Sequence, residues 1–467
     1  MKKVVFAFSI ATFCYSATIN GEFISGYEEW KLPEGEKLGV NRSGILINFT
    51  PYWYGGVNLY GATKGKRGGL FVFGFESGLQ TNPKKLINLR SGLFIGAGGG
   101  GAAPQGGGLM ARGYIEGRVN TKYFSIGAGV SRVNFLNGDI KSTQFFSSIY
   151  LPFKLKYKNN TFSPFKDIPY RVFLKGGKYF VDKESKTTNN LPQQDFSYIA
   201  IEMQADINRY FFLTYSLAGG TADGSDGYME SFTGLGVKSN IFNLPLTATL
   251  SAELGLGGGG KVDTGGGSMA RVRSSLFANI NNFLMGIEAG YTKSFKGSFK
   301  AKNIGFFIGY NNIFSSNPFK KEKFAIRALN KVHLTSKGDF KDNTRDDKIY
   351  LLGMAIDKYL TSNFYITGQS LWAYKGNSGG YTEGLIGVGY IKEFNNVSLR
   401  GEALIGAAGG GGVKTGSAIG SINATIGINF AKNYKIEAGV GYTKAKKGLS
   451  SMDIIAAISY KFNISSK

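Results

Sequence analysis

The chain is 467 residues long and strongly basic, with 55 Lys+Arg against 31 Asp+Glu and a formal net charge of +24 at pH 7. Its 69 glycines, 10 prolines and 14% aromatics exclude low-complexity disorder, which is poor in aromatics, and glycine does not recur at every third position as a collagen needs. A basic balance of this size seeks polyanions, and in an exported chain those are lipopolysaccharide or anionic solutes rather than nucleic acid.

The first element is Lys2 and Lys3, the apolar run Val4 to Phe13, and the triplet Cys14-Tyr15-Ser16. This pattern predicts a secretory signal peptide over residues 1–16, cut after Ser16, which leaves about +22 on the mature chain. Cys14 is the one cysteine, and Phe13 stands where a lipoprotein signal needs a small residue. The mature chain is thus expected to hold no disulfide and no cysteine metal site. No later apolar run reaches the roughly eighteen residues of a transmembrane helix.

Beyond the leader, one glycine block is written three times. Gly98 to Gly101 is followed by Gly106 to Gly108, Gly257 to Gly260 by Gly265 to Gly267, and Gly409 to Gly412 by Gly416. Gly108-Leu109-Met110-Ala111-Arg112 returns as Gly267-Ser268-Met269-Ala270-Arg271. The copies lie roughly 160 and then 150 residues apart, far beyond a solenoid period, so each marks a whole multi-strand unit. The expected units are 17–157, 169–314 and 322–467, joined by linkers 158–168 and 315–321 that hold Pro164 and Pro318.

Within a unit the hydropathy alternates with period two. In the last strand Ile454, Ala456, Ile458, Tyr460 and Phe462 alternate with Ile455, Ala457, Ser459 and Lys461; before it Tyr434, Ile436, Ala438, Val440 and Tyr442 alternate with Lys435, Glu437, Gly439, Gly441 and Thr443. One wholly apolar face opposite a polar, glycine-rich one means a strand between two media, and segments of about ten such residues are the signature of a lipid-spanning β-barrel. The third unit divides into eight: 323–334, 348–360, 363–374, 380–392, 397–408, 417–430, 433–444 and 451–463. Even-numbered connections such as Asn281-Asn282 and Asn395-Asn396 are short, whereas odd ones such as 182–195 and 336–347 are longer and polar. The aromatics Tyr52-Trp53-Tyr54, Tyr123-Phe124, Tyr210-Phe211-Phe212, Phe283, Tyr359, Phe364-Tyr365 and Tyr434 flank the short turns, where an interfacial girdle is expected.

Together the leader, the alternating segments over 20–463 and the final Ile458-Ser459-Tyr460-Lys461-Phe462 resemble Gram-negative outer-membrane β-barrel proteins. That resemblance implies an all-β, antiparallel transmembrane barrel in the outer membrane, contact with its lipid and lipopolysaccharide, and handling by the barrel assembly machinery during biogenesis. Asn463 to Lys467 extend past the terminal aromatic, a departure from the pattern.

About 24 strands can close as one barrel about 48 Å across or as three tandem eight-stranded barrels about 16 Å across. The inward face of the fifth strand reads Arg90, Gly92, Phe94, Gly96, Gly98, then Thr249, Ser251, Glu253, Gly255, Gly257, then Arg400, Glu402, Leu404, Gly406, Ala408; Glu288 and Glu437 lie on the seventh. Glycine opposite long charged groups suits a narrow, filled lumen, which favours three barrels, with the single wide barrel as the alternative.

The glycines at 98, 101, 106, 108, 257, 260, 265, 267, 409, 412 and 416 (Gly98, Gly101, Gly106, Gly108, Gly257, Gly260, Gly265, Gly267, Gly409, Gly412, Gly416) fall at a rim hairpin. There they either permit close backbone packing or form an amide nest for an anion; no P-loop sequence follows. Glu230 and Glu383 repeat in the fourth strand and read as ion-pair partners. His333 is the one histidine, and the Asp223/Asp226 spacing is incomplete for a calcium loop. No nucleophile and base recur in every unit, so neither an enzyme nor a cofactor is expected. Two functional readings remain: a structural, basic outer-membrane protein that contacts lipopolysaccharide, or a porin-like diffusion channel favouring small anions.

Overall fold

The computed structural model describes residues 17–467 apart from 84, 222–224, 242–243, 318–319 and 343–347. The leader, Pro318 and Asp223 lie outside the described residues. Alternation of period two gives extended chain throughout: besides 25 strands there are two single 3-10 turns, Pro33–Gly35 and Lys337–Asp339, and no helix is long and apolar enough to cross a membrane.

The first eight strands are β1 (Ala17–Lys31), β2 (Lys37–Asn48), β3 (Trp53–Lys64), β4 (Phe71–Gln80), β5 (Ile87–Gly99), β6 (Leu109–Asn120), β7 (Ser125–Phe135) and β8 (Lys141–Lys158). Each pairs antiparallel with the next, and β8 returns to β1 over Ser25↔Ile149 and its neighbours, so the ladder closes on itself. A short β9 (Thr161–Pro164) follows. The next eight are β10 (Ile168–Val181), β11 (Phe196–Asp206), β12 (Phe211–Gly220), β13 (Met229–Asn240), β14 (Leu246–Gly258), β15 (Ser268–Ile280), β16 (Phe283–Ser294) and β17 (Lys300–Phe314), with β17 returning to β10 over Val172↔Tyr310. The last eight are β18 (Lys320–Leu334), β19 (Ile349–Tyr359), β20 (Phe364–Lys375), β21 (Thr382–Phe394), β22 (Val397–Gly409), β23 (Ala418–Ala431), β24 (Tyr434–Ala445) and β25 (Ser450–Ser466), with β25 returning to β18 over Phe324↔Phe462.

The three rings touch in a cyclic order. The third strand of each packs on the fifth of the next: β3 on β14, β12 on β22, and β20 on β5. Each ring therefore meets both others through the same two places, around a pseudo-three-fold axis.

Two sequence expectations change. Tyr52, Tyr123, Tyr210 and Phe283 are exposed at the short-turn end, as a girdle needs, but Tyr54, Phe212, Tyr359 and Tyr365 are buried. The latter point into the ring and close its mouth, because the alternation that turns one aromatic outward turns its neighbour inward. The second concerns the last strand, expected over 451–463: β25 runs on to Ser466, pairing Ile464 with Glu322 of β18 and, in parallel, with Phe162 of β9. Linker and tail thus tie the first and last rings together at the short-turn end.

Candidate functional site: the filled lumens and the glycine junction

Each ring is filled in layers. At the long-loop end an apolar plug occupies the mouth: Trp30, Tyr60, Phe94 and Phe135 in the first ring, Tyr179, Phe196, Tyr228 and Phe299 in the second, Phe340, Leu351, Tyr381 and Leu449 in the third. The tip of the glycine hairpin joins it, since Ala103, Val262 and Val413 are all buried. The long connections fold over as well, Thr187 bridging to Val262 and Phe340 to Val413.

Below the plug lies a belt of paired charges. In the first ring Arg42 meets Glu76 at 2.5 Å, Arg112 meets Glu28 at 2.9 Å, and Arg90 and Arg118 share Glu22 at 2.9 and 2.8 Å. In the second, Arg273 bridges Glu202, Glu253 and Glu288 at 2.5, 2.7 and 3.1 Å, Arg271 holds Glu253 and Glu230, and Lys175 sits between Glu202 and Glu288. In the third, Arg400 reaches Glu437 at 2.8 Å and Asp357 at 2.9 Å, while Arg327 reaches Glu402 at 2.5 Å and Asp357 at 2.9 Å. His333 lies between Asp453 and Glu383, with one ring nitrogen 2.6 Å from each carboxylate. Ions this deep are tolerated because partners replace the water they have lost.

The residues singled out by sequence fall into this belt: Arg90, Glu253, Glu288, Arg400, Glu402 and Glu437 are between 1% and 6% exposed. Glu230 and Glu383 are in it too, each accepting a tyrosine hydroxyl, Tyr228 and Tyr381. The plug was missed, since Trp30 and Phe299 stand at strand ends where sequence reads loop.

Because the belts are internally compensated, the positive surplus belongs to loops, turns and rims. The lumens also differ although the backbone repeats. Tyr54, Phe212 and Tyr365 stand at one place in the three rings, each facing a glycine of the fourth strand, but Gln80, Lys238 and Ile391 also share a place and no chemistry.

The glycine hairpins serve both their own ring and the junction between rings: a Cβ on Gly98, Gly101, Gly106, Gly257, Gly260, Gly265 or Gly416 would meet atoms of its own ring, whereas one on Gly108, Gly267 or Gly409 would meet Ala373, Ala62 or Gly227 of a neighbouring ring. Gly69, Gly227 and Gly380 have φ of +89°, +89° and +87°, and a Cβ on Gly227 or Gly380 would lie 2.8 Å from the backbone nitrogen of Gly410 or Gly100 in the neighbouring ring. On Gly69 it would come closer still to Gly259. Gly258 and Gly409 meet Gly69 and Gly227 in turn, and Gly106 meets Gly379. Only a residue without Cβ allows both this φ and this approach. Around the contact, the Gly68 amide donates to Gly265 at 3.0 Å, Ser268 to Thr63 at 2.8 Å, Gln105 to Gly379 at 3.1 Å and Thr415 to Asp226 at 2.6 Å. On the axis Phe71 and Ala97, Met229 and Leu256, and Trp372 form an apolar cluster drawn from all three rings.

No protein-family model matches the chain, and no curated protein does. Among solved structures it is similar to OccAB3 of Acinetobacter baumannii, at 10% identity over 96% of this chain and 99% of that one with a TM-score of 0.23, and to the outer membrane protein OpdK of Pseudomonas aeruginosa, at 11% over 96% and 98% with 0.24. It is also similar to the ferric enterobactin receptor PfeA of Pseudomonas aeruginosa, at 8% over 97% and 81% with 0.29. These are Gram-negative outer-membrane β-barrel proteins. Superposition at such scores does not extend to strand arrangement, so the architecture rests on the pairing described above.

The lumens are largely filled by side chains. A cavity of about 320 Å³ opens at the short-turn mouth of the second ring, and a space of about 10 Å³ lies in the third ring beside Glu402, Glu437 and Arg327. The glycine faces of the hairpin are taken up by packing, which leaves the amide-nest reading without a supporting contact.

Proposed function

We propose that this protein is an integral outer-membrane protein built as three separate eight-stranded barrels, and that it acts as a structural, non-conducting element of that membrane. The observation that carries this reading is the closure of each ring after eight strands, with a lumen occupied by paired charges beneath an apolar plug. Eight strands leave an interior that side chains fill, whereas one ring of about 24 would enclose an aqueous hole about 48 Å across. Long loops face outward and short turns the periplasm, by the habit of such barrels. Its surplus positive charge, placed on loops and rims, supports contact with lipopolysaccharide at the outer face.

A second reading, a diffusion channel for small anions, is favoured by the basic vestibule of the second ring, where Arg171 and Lys238 line the mouth. Single-channel recording in planar bilayers separates the two. Silent bilayers fit the first reading; a stable conductance with anion selectivity sinks it and supports the second.

A further inference from the structure

We propose that the short-turn mouth of the second ring is a binding site for a monosaccharide-sized acid, a sugar bearing one carboxylate or phosphate. The cavity of about 320 Å³ lies at the lower edge of the range that small ligands occupy. It is blind, because the Lys175–Glu202–Arg273–Glu288 cluster closes the lumen behind it. On its wall Asp206 is clamped between Arg171, at 2.6 Å, and Lys238, so two cations face one carboxylate and one positive charge is left over. Arg171 is 7% exposed, and its Nε is buried without a hydrogen-bond partner. The surplus cation at this wall attracts an anion entering the cavity.

The rest of the wall suits a polyhydroxylated ring. Asn279 and Asn311 present side-chain amides, which donate and accept as sugar hydroxyls require, and Phe277 supplies an apolar floor. In the other two rings larger or charged side chains occupy the equivalent place. Where Phe277 stands in the second ring, the same strand position in the first carries Arg118, whose guanidinium lies 4.0 Å from the Tyr150 ring centroid and binds Glu22. In the third ring Tyr359 and Tyr365 pack together at 5.4 Å across the mouth.

The test is calorimetric titration of the full chain in detergent micelles with glucuronate and glucose 6-phosphate, against glucose and inorganic phosphate. Saturable binding of at least one acidic sugar is expected, at least tenfold tighter than glucose and than phosphate; the two acids tell a carboxylate ligand from a phosphate ester. Arg171→Gln should weaken it at least tenfold. Because that change removes one of the two cations that hold Asp206, Asn311→Leu at the rim provides a second variant, expected to weaken binding severalfold with unchanged thermal unfolding. No binding of either acid, glucose binding as well as they do, phosphate alone binding equally, or Asn311→Leu without effect would each overturn the proposal. Conductance has no part in this readout, so silence in a bilayer leaves it standing.

Discussion

Ring closure can be tested with three engineered disulfides, because Cys14 is the one cysteine of the chain and can be replaced by serine. Cysteines at Ser25 and Ile149, at Val172 and Tyr310, and at Phe324 and Phe462 would each join first and eighth strands at directly opposed positions. Opposed residues in an antiparallel ladder have Cα atoms about 4.5–5.5 Å apart, inside the roughly 4.4–6.8 Å that a disulfide spans. Each bridge closes a loop of about 125–140 residues, for which the chain-entropy model gives close to 5 kcal/mol, an upper bound because the denatured chain retains structure. Oxidised protein should therefore run as three separately cross-linked rings on a non-reducing gel, with peptide mapping to identify the bridges, and should resist urea further than its reduced form. Cysteines at Ile304 and Asn330 are the control: a single wide sheet would pair β17 with β18 and bring them together, and here they should stay reduced. A bridge at the control pair, or failure of all three closing pairs, would refute the three-ring architecture and the sealed-lumen reading that depends on it.

Further expectations concern junction, belt and tie. Gly227→Ala places a Cβ at φ +89° against Gly410, and strain plus contact should cost about 1–3 kcal/mol in reversible urea unfolding, while the same change at Gly368, open within 4 Å, should cost at most about 1. Equal losses at the two sites would remove the junction from its special role. Glu437→Gln leaves Arg400 with reduced compensation in the third lumen and should cost about 3–5 kcal/mol, with the Arg400→Met/Glu437→Leu double variant recovering part of it; full additivity of the two would argue that they do not interact. Asp167, in the linker, accepts from the amide and hydroxyl of Ser316 and pairs with Lys467, and these hold its carboxyl below the usual carboxylate range. Being depressed, its contribution is present above about pH 3.9, the unfolded value, and is lost as pH falls through the folded one. Proteolytic nicking of the linker should accordingly stay low and flat from pH 8 to pH 5 and rise only in stronger acid, whereas Asp167→Asn should nick readily at every pH.

Much of the strand pattern was legible, because a strand between lipid and a filled lumen must alternate. Tyr434 to Tyr442 and Ile454 to Phe462 could be placed to within a residue or two. The belt was legible for a related reason: a carboxylate repeated at one strand position, as with Glu230 and Glu383, has to meet a cation if it points inward. What the pattern could not carry was which inward group meets which. Arg90 lies on β5 but pairs with Glu22 of β1, across the lumen and far along the chain, and that partner depends on ring diameter and stagger. Among the aromatics at the short turns, Tyr54, Phe212, Tyr359 and Tyr365 turn inward for the converse reason, since propensity gathers Tyr and Phe at strand ends without saying which face they take. The glycine block announced the period of the repeat, but the contacts that Gly108, Gly267 and Gly409 make lie between units, and no within-unit pattern encodes those.

The tie made by β9 bears on the order in which the chain can be put together. Asn160 donates to the carbonyl of Lys461, a partner 301 residues further on, and β9 borders β25, the final strand. Each ring can close from contacts within its own unit, but the seam beside the first ring waits for the last residues to arrive. During synthesis and insertion the first ring therefore stands with an unpaired edge at its exit, and the C-terminal strand has two tasks: sealing its own ring and locking the assembly. Truncating the last five residues would remove both pairings of β9 with β25, Asn463 with Thr161 and Ile464 with Phe162, and leave three rings that close with a weaker clasp at that end.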